Sequence, residues 1–229
     1  MPDLKKLEIS PAAAVLISGV LIAGAILFVN LHPTQPVVAA DAQQLPASVN
    51  VPAPSASDHI VGSPTAPLVL VEYSDFQCPY CAMIYPSLKQ IVAESNGQIA
   101  WVMRDFPLTS IHPQAQPAAL AAECIAAQLG NDGWWKFADT VFNNQSKMNP
   151  AYYAQLAAQF GADPTTFATC VSSGQFQNKL DQGTAEAETN GGNGTPFTVV
   201  VGKGAQVQIS GALPYAQIMA VINAVKARQ

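Results

Sequence analysis

The sequence predicts an α/β fold: a βαβ unit and a ββα unit with a helical subdomain inserted between them. Three observations carry it. The apolar run 67–73 gives way at once to Cys78-Pro79-Tyr80-Cys81 and a helical pattern, a β-branched run and hairpin alternation follow near the C-terminus, and the Ala- and Gln-rich stretch between them, about residues 113–190, keeps helical periodicity throughout.

Residues 67–73 (PLVLVEY) show almost no polar alternation, as in a central strand covered on both faces, and Glu72 is the anomaly. Behind the cysteines Ile84, Tyr85, Leu88, Ile91 and Val92 form one apolar stripe of a helix ending near Asn96-Gly97. Residues 99–103 read as a second apolar strand, with Arg104 and Asp105 at its end. In the insertion Leu120 and Cys124, then Phe167, Cys170 and Val171, mark apolar helical faces, and Trp134 and Trp135 are expected to pack it. Residues 197–201 are β-branched and apolar, Gly202-Lys203-Gly204 makes a turn, and Val207 and Ile209 alternate with Gln206, Gln208 and Ser210. Tyr215, Ile218, Met219, Ile222 and Val225 mark a closing amphipathic helix. A βαβ unit followed by ββα is the thioredoxin arrangement.

The N-terminus predicts export. Residues 12–31 are uncharged and mostly apolar, and as a helix would span about 30 Å, the thickness of a bilayer's hydrocarbon. Lys5 and Lys6 precede this run and the next basic residue is Lys89, so residues 1–11 are expected in the cytoplasm, 12–31 as a single-pass signal-anchor, and the rest outside, in a periplasmic or other extracytoplasmic space. The alternative is a cleaved signal peptide, for which Val38-Ala39-Ala40 offers small residues. Residues 32–57 carry Pro33, Pro36, Pro46, Pro52 and Pro54 and read as an extended linker to a catalytic domain at 58–229. Charged residues are only 11% of the chain, net charge is -5, and the basic residues after 58 are scattered singly, which excludes a nucleic-acid surface.

A strand followed by C-x-x-C sets Cys78 at a helix N-terminus, where free N–H groups and the macrodipole stabilise the reactive thiolate. Zinc sites built on C-x-x-C need further ligands at short spacing; Cys124, Cys170, His32, His59 and His112 provide none, so no metal is expected. His112 reads as a loop-packing residue. In an oxidising compartment Cys124 and Cys170 are better explained as a structural disulfide than as two inert thiols.

With VEYSDFQCPYC after a strand, a helical insertion, Thr195-Pro196 before the hairpin and an export segment, residues 58–229 resemble the DsbA-like family of extracytoplasmic thiol:disulfide oxidoreductases. The resemblance implies that Pro196 is cis and lies beside the cysteines, that Glu72 is buried beneath them, and that no cofactor is needed beyond a redox-active Cys78–Cys81 disulfide. Cys78 is then the exposed sulfur that a substrate thiolate attacks and Cys81 the resolving one, while Thr195 and Pro196 hold an extended substrate as an added strand. Base rates alone would make Pro196 an edge or turn proline. Glu72 reads either as a proton acceptor for Cys81, its pKa raised by desolvation, or as a satisfied hydrogen-bond acceptor. In the dipeptide Pro79-Tyr80 the tyrosine departs from the histidine of the best-known members, which predicts a less acidic Cys78 and a milder oxidant.

The expected activity is oxidation of exported cysteine-containing polypeptides by dithiol–disulfide exchange. The resemblance implies reoxidation by a quinone-linked membrane partner of the DsbB or vitamin K epoxide reductase type. The alternatives are a reductase or isomerase held reduced, a glutaredoxin, for which CPYC is also the motif, and a copper-binding thioredoxin-like module.

Overall fold

The computed structural model describes residues 49–228. The expected signal-anchor at 12–31 and most of the expected linker lie outside these residues. Among the described residues no helix is long and apolar enough to cross a membrane.

The elements run β1 (His59–Val61), β2 (Leu68–Ser74), α1 (Pro79–Glu94), β3 (Ile99–Asp105), α2 (Ala115–Phe142), a 3-10 turn (Gln145–Lys147), α3 (Pro150–Phe160), α4 (Pro164–Ser173), α5 (Gln177–Thr189), β4 (Phe197–Gly202), β5 (Ala205–Ser210) and α6 (Tyr215–Lys226). The sheet has the order β1-β3-β2-β4-β5, with β2 and β3 parallel and every other pair antiparallel. Strand β2 is central and every residue of it is buried, which accounts for its unbroken apolar pattern. This mixed α/β sheet is the thioredoxin-like fold, and four helices occupy the interval between β3 and β4.

Local chemistry sets the helix ends. Pro79 opens α1 at a position whose N–H would have no intrahelical partner, and the buried face is Cys81, Ile84, Tyr85, Leu88, Ile91 and Val92. Helices α3 and α4 are capped by Asn149 and Asp163, whose side chains accept from the N–H groups of Tyr152 and Thr166, and both stop at left-handed glycines, Gly161 and Gly174. Helix α2 is two helices joined at Gly130, whose φ of 68° breaks the hydrogen-bond ladder. Cys124 on α2 and Cys170 on α4 are joined by a disulfide, with an S–S distance of 2.00 Å and a Cα–Cα distance of 5.8 Å.

The structure departs from the sequence reading in three places. Strand β1, an edge strand paired to β3, is too short to show a pattern of its own. The expected linker does not run free as far as residue 57: Val51 is in the core, its N–H donates to Gln206 Oε1 at 2.7 Å, and the Asn50 N–H donates to Asn190 Oδ1 at 2.7 Å. Arg104, read only as a strand end, fastens this segment through Asp58 at 2.8 Å and Glu186 at 3.0 Å. Lastly, Trp134 and Trp135 join the insertion to the sheet as well as packing it. Trp134 stacks on His59 at 4.5 Å and meets Phe76 at 5.7 Å, while Trp135 meets Trp101 on β3 at 4.7 Å. These rings make the helical insertion part of the wall behind the cysteines.

Candidate active site

The connection from β2 to α1 places Cys78 as the N-cap residue of α1, in an extended conformation (φ -69°, ψ 123°) that leads its side chain back over the first turn. Cys81 follows one turn later on the buried face of that helix. Both are free thiols. The expectation of an exposed Cys78 is corrected: the residue keeps only 3% of its accessible surface and Cys81 keeps none, because the Thr195 loop lies over the sulfur. The Cys78 thiol donates to the Thr195 carbonyl at 3.4 Å, and the Thr195–Pro196 bond is cis. The surface beside this site is apolar at Tyr80 and Met83, both more than half exposed.

The two sulfurs have opposite acid–base character. A hydrogen bond from the Cys81 thiol, helped by Thr195 and by the N–H groups of Cys81 and Tyr80, holds Cys78 down to about 6 despite the burial that opposes ionisation. Burial, the same Cys78 hydrogen bond and the negative field of Glu72 push Cys81 well above the usual thiol range. Thr195 Oγ1 is buried without a hydrogen-bond partner, and the Thr195 side chain acts to lower the Cys78 thiol. One thiolate is thus favoured at neutral pH and its neighbour stays protonated.

Glu72 is 1% exposed beneath the cysteines, in the middle of β2. Its two oxygens accept from Ser74 Oγ at 2.8 Å and from Trp101 Nε1 at 3.0 Å, yet desolvation outweighs both bonds and raises its carboxyl to about 7. Its two oxygens are therefore satisfied acceptors, and its carboxyl is held near neutrality by burial. Hydrogen bonding by Ser74 also acts on Cys81, in the direction that favours its thiolate. The backbone N–H of Asp75 points at Cys81 Sγ at 3.5 Å, a second donor for that sulfur when it is charged.

Sequence reasoning singled out Cys78, Pro79, Tyr80, Cys81, Glu72, Thr195 and Pro196. The structure brings Cys78, Cys81, Glu72 and Thr195 together, and sets Cys124 and Cys170 apart in a disulfide between insertion helices. It adds three groups that went unnoticed. Ser74 lies between Glu72 and Cys81; Gln145 donates to the carbonyls of Phe76 and Cys78 at 2.9 and 3.0 Å; and Asp75 accepts from the Cys78 N–H at 3.2 Å. Asp75 had a visible signal, an aspartate in a strand-to-helix turn. Gln145 had none, because it reaches the site from a 3-10 turn after the insertion's longest helix.

Comparison with known proteins agrees with this fold. Residues 55–224 match the family described as Thioredoxin. Among solved structures, oxidised BdbD from Bacillus subtilis superposes with a TM-score of 0.65 at 20% identity, covering 78% of this chain and 98% of that one. Wolbachia pipientis α-DsbA1 superposes at 0.63 with 18% identity, over 76% and 94% of the two chains. A thioredoxin-like oxidoreductase from Silicibacter pomeroyi DSS-3 gives 0.63 at 25% identity, over 75% and 94%. Among curated sequences, the Na(+)/H(+) antiporter NhaA 3 of Salinispora tropica is 31% identical over 153 residues, which is 67% of this chain and 23% of that protein. The chain therefore spans about a quarter of the length of the curated relatives it matches. The chain belongs to the thioredoxin family of oxidoreductases and carries the fold it shares with α-DsbA1 and BdbD.

Proposed function

We propose that the protein is an extracytoplasmic thiol:disulfide oxidase that passes its Cys78–Cys81 disulfide to exported cysteine-containing polypeptides. The observation that carries this reading is the asymmetry of the two sulfurs, Cys78 held at about 6 and Cys81 pushed far above the usual range. A low-pKa Cys78 is a good leaving group and its stabilised thiolate favours the reduced enzyme, so the disulfide form is inclined to give up its oxidising equivalents.

The steps balance without a cofactor. A substrate thiolate attacks Cys78 Sγ, the Cys78–Cys81 bond breaks, and Cys81 leaves as a thiolate that the Asp75 N–H receives. Glu72 supplies the proton that Cys81 takes up, and the Ser74 hydroxyl beside both groups offers the path. A second substrate thiolate then attacks the substrate sulfur of the mixed disulfide, and Cys78 departs as a thiolate among the N–H groups of Tyr80 and Cys81. Two electrons have moved from substrate to enzyme. While the mixed disulfide exists Cys78 has no proton to donate, so the Thr195 carbonyl is free to accept an N–H from the substrate backbone laid beside it.

Reoxidation falls to a quinone-linked membrane protein of the DsbB or vitamin K epoxide reductase type, and a signal-anchor at 12–31 would keep the two on one membrane. The deciding experiment is oxidative refolding of a reduced, unfolded cysteine protein, paired with the redox state of Cys78 in living cells. The reading expects catalysed refolding, its loss in Cys78→Ser, and a mostly oxidised cellular pool. A mostly reduced pool would overturn it in favour of a reductase or isomerase.

A further inference from the structure

Asp75 is a buried carboxyl group next to Cys78 that the exchange chemistry above leaves unused except through its backbone. Its side chain is fully enclosed, an expensive location for a carboxylate unless donors surround it. Four do. Oδ1 accepts from the N–H groups of Gln77 at 2.7 Å and Cys78 at 3.2 Å, and Oδ2 accepts from the Leu108 N–H and from His112 Nδ1, each at 2.8 Å. A carboxylate only accepts, so His112 presents Nδ1–H to it. One side of the carboxylate therefore grips the peptide that carries Cys78, and the other grips the loop between β3 and α2. A second tie runs parallel, from the Gln114 N–H to Gln77 Oε1 at 2.6 Å. Between these ties Ile111 stands 66% exposed.

We propose that Asp75 is a positioning residue for polypeptide exchange, fixing Cys78 in register with the Leu108–Gln114 loop, and that His112 holds Asp75 in that role. This rests on Cys78 being the exchanging thiol. An amide at position 75 could still accept from Gln77 and Cys78 with its oxygen, but it would turn an NH2 toward two further donors and release the loop. A small dithiol needs access to the Cys78 sulfur but no alignment along that loop. A polypeptide thiolate must bring its chain in beside Cys78, where Gln77 is tied to the loop through Gln114, so it feels a shift of about an ångström as lost alignment.

The test uses the full chain, oxidised, with Asp75→Asn, His112→Leu and His112→Asn, and follows exchange with dithiothreitol and with a reduced, unfolded cysteine polypeptide. Asp75→Asn and His112→Leu are expected to slow the polypeptide reaction by about ten- to a hundredfold more than they slow the dithiothreitol reaction. His112→Asn, whose side-chain N–H can take the place of Nδ1–H, is expected to keep both rates. Equal losses in the two reactions, or none, would overturn the proposal, and so would failure of His112→Asn to outperform His112→Leu. If the native chain itself does not oxidise polypeptides, the functional reading falls and amide hydrogen exchange at Leu108 decides the latch alone. Unchanged protection there in Asp75→Asn would then refute it.

Discussion

Glu72→Gln removes a buried ionisable proton and leaves the shape of the site intact. The amide oxygen can accept from Trp101 Nε1, and the amide N–H can donate to Ser74 Oγ, which reverses its role, so neither neighbour is orphaned. What changes is the titration. In the folded chain the carboxyl ionises at about 7, against an ordinary value of 4.5. That gap corresponds to about 3.5 kcal/mol, at ~1.4 kcal/mol per pH unit. The sign follows from linkage: a raised folded pKa means that the neutral form is the one the fold accommodates. The associated stability is fully present below pH 4.5, is lost as pH rises through the folded value, and is gone above about 7. Urea titrations of the reduced protein at pH 5 and pH 8 measure this as a double difference. In a Cys78→Ser background, which removes the thiolate coupled to Glu72, the chain with Glu72 is expected to lose about 2.5 kcal/mol more between those two conditions than its Glu72→Gln counterpart does. Equal losses in both proteins would refute the desolvation of Glu72, and with it the reason for assigning it a proton near neutrality.

Absorbance at 240 nm should show the Cys78 thiolate titrating near 6, and Thr195→Val, which removes the hydroxyl that favours the thiolate, should move the midpoint upward; an unmoved midpoint would show that Thr195 Oγ1 does not act on the sulfur. Replacing Cys124 and Cys170 together by alanine should cost about 4 kcal/mol in the chain-entropy account, for a closed loop with a sequence separation of 46, and thermal melts with and without reductant measure it. That double variant should keep its Cys78 titration, since the bridge lies between insertion helices. At Gly183 on α5 an added Cβ would fall 2.4 Å from the Asp105 backbone carbonyl, so Gly183→Ala should destabilise the fold by about 1–3 kcal/mol in urea. Unchanged stability there would mean that α5 can lift from β3 without cost.

The parts of this fold that were legible in the sequence are those whose burial is periodic. Strand β2 is covered on both faces and so reads as an unbroken apolar run; the buried stripe of α1 repeats at helical spacing; the β4–β5 hairpin alternates around a glycine turn. Strand β1 has three residues and exists because β3 offers an edge, which no local pattern records. The docking of Val51 has a similar origin. A valine among prolines looks like linker, and only the Gln206 side chain, 155 positions away, gives its backbone both a donor and an acceptor. At the site, the C-x-x-C spacing and the lone acidic residue of β2 drew attention to Cys78, Cys81 and Glu72. The enclosure of Cys78 by Thr195 is a contact across 117 positions, and the Gln145 bonds to Phe76 and Cys78 span 69 and 67. Residue type could suggest these groups as polar, but their convergence on one loop is a property of the assembled chain.

The ring cluster behind the cysteines has an optical consequence. The chain contains three tryptophans, and Trp101, Trp134 and Trp135 adjoin one another in that cluster, Trp101 with its indole nitrogen on Glu72. Tryptophan fluorescence from this protein therefore arises beside the reaction centre and nowhere else. Its emission should register a charge placed on Glu72 or a bond formed between the sulfurs, so turnover can be followed in the native chain without attaching a dye.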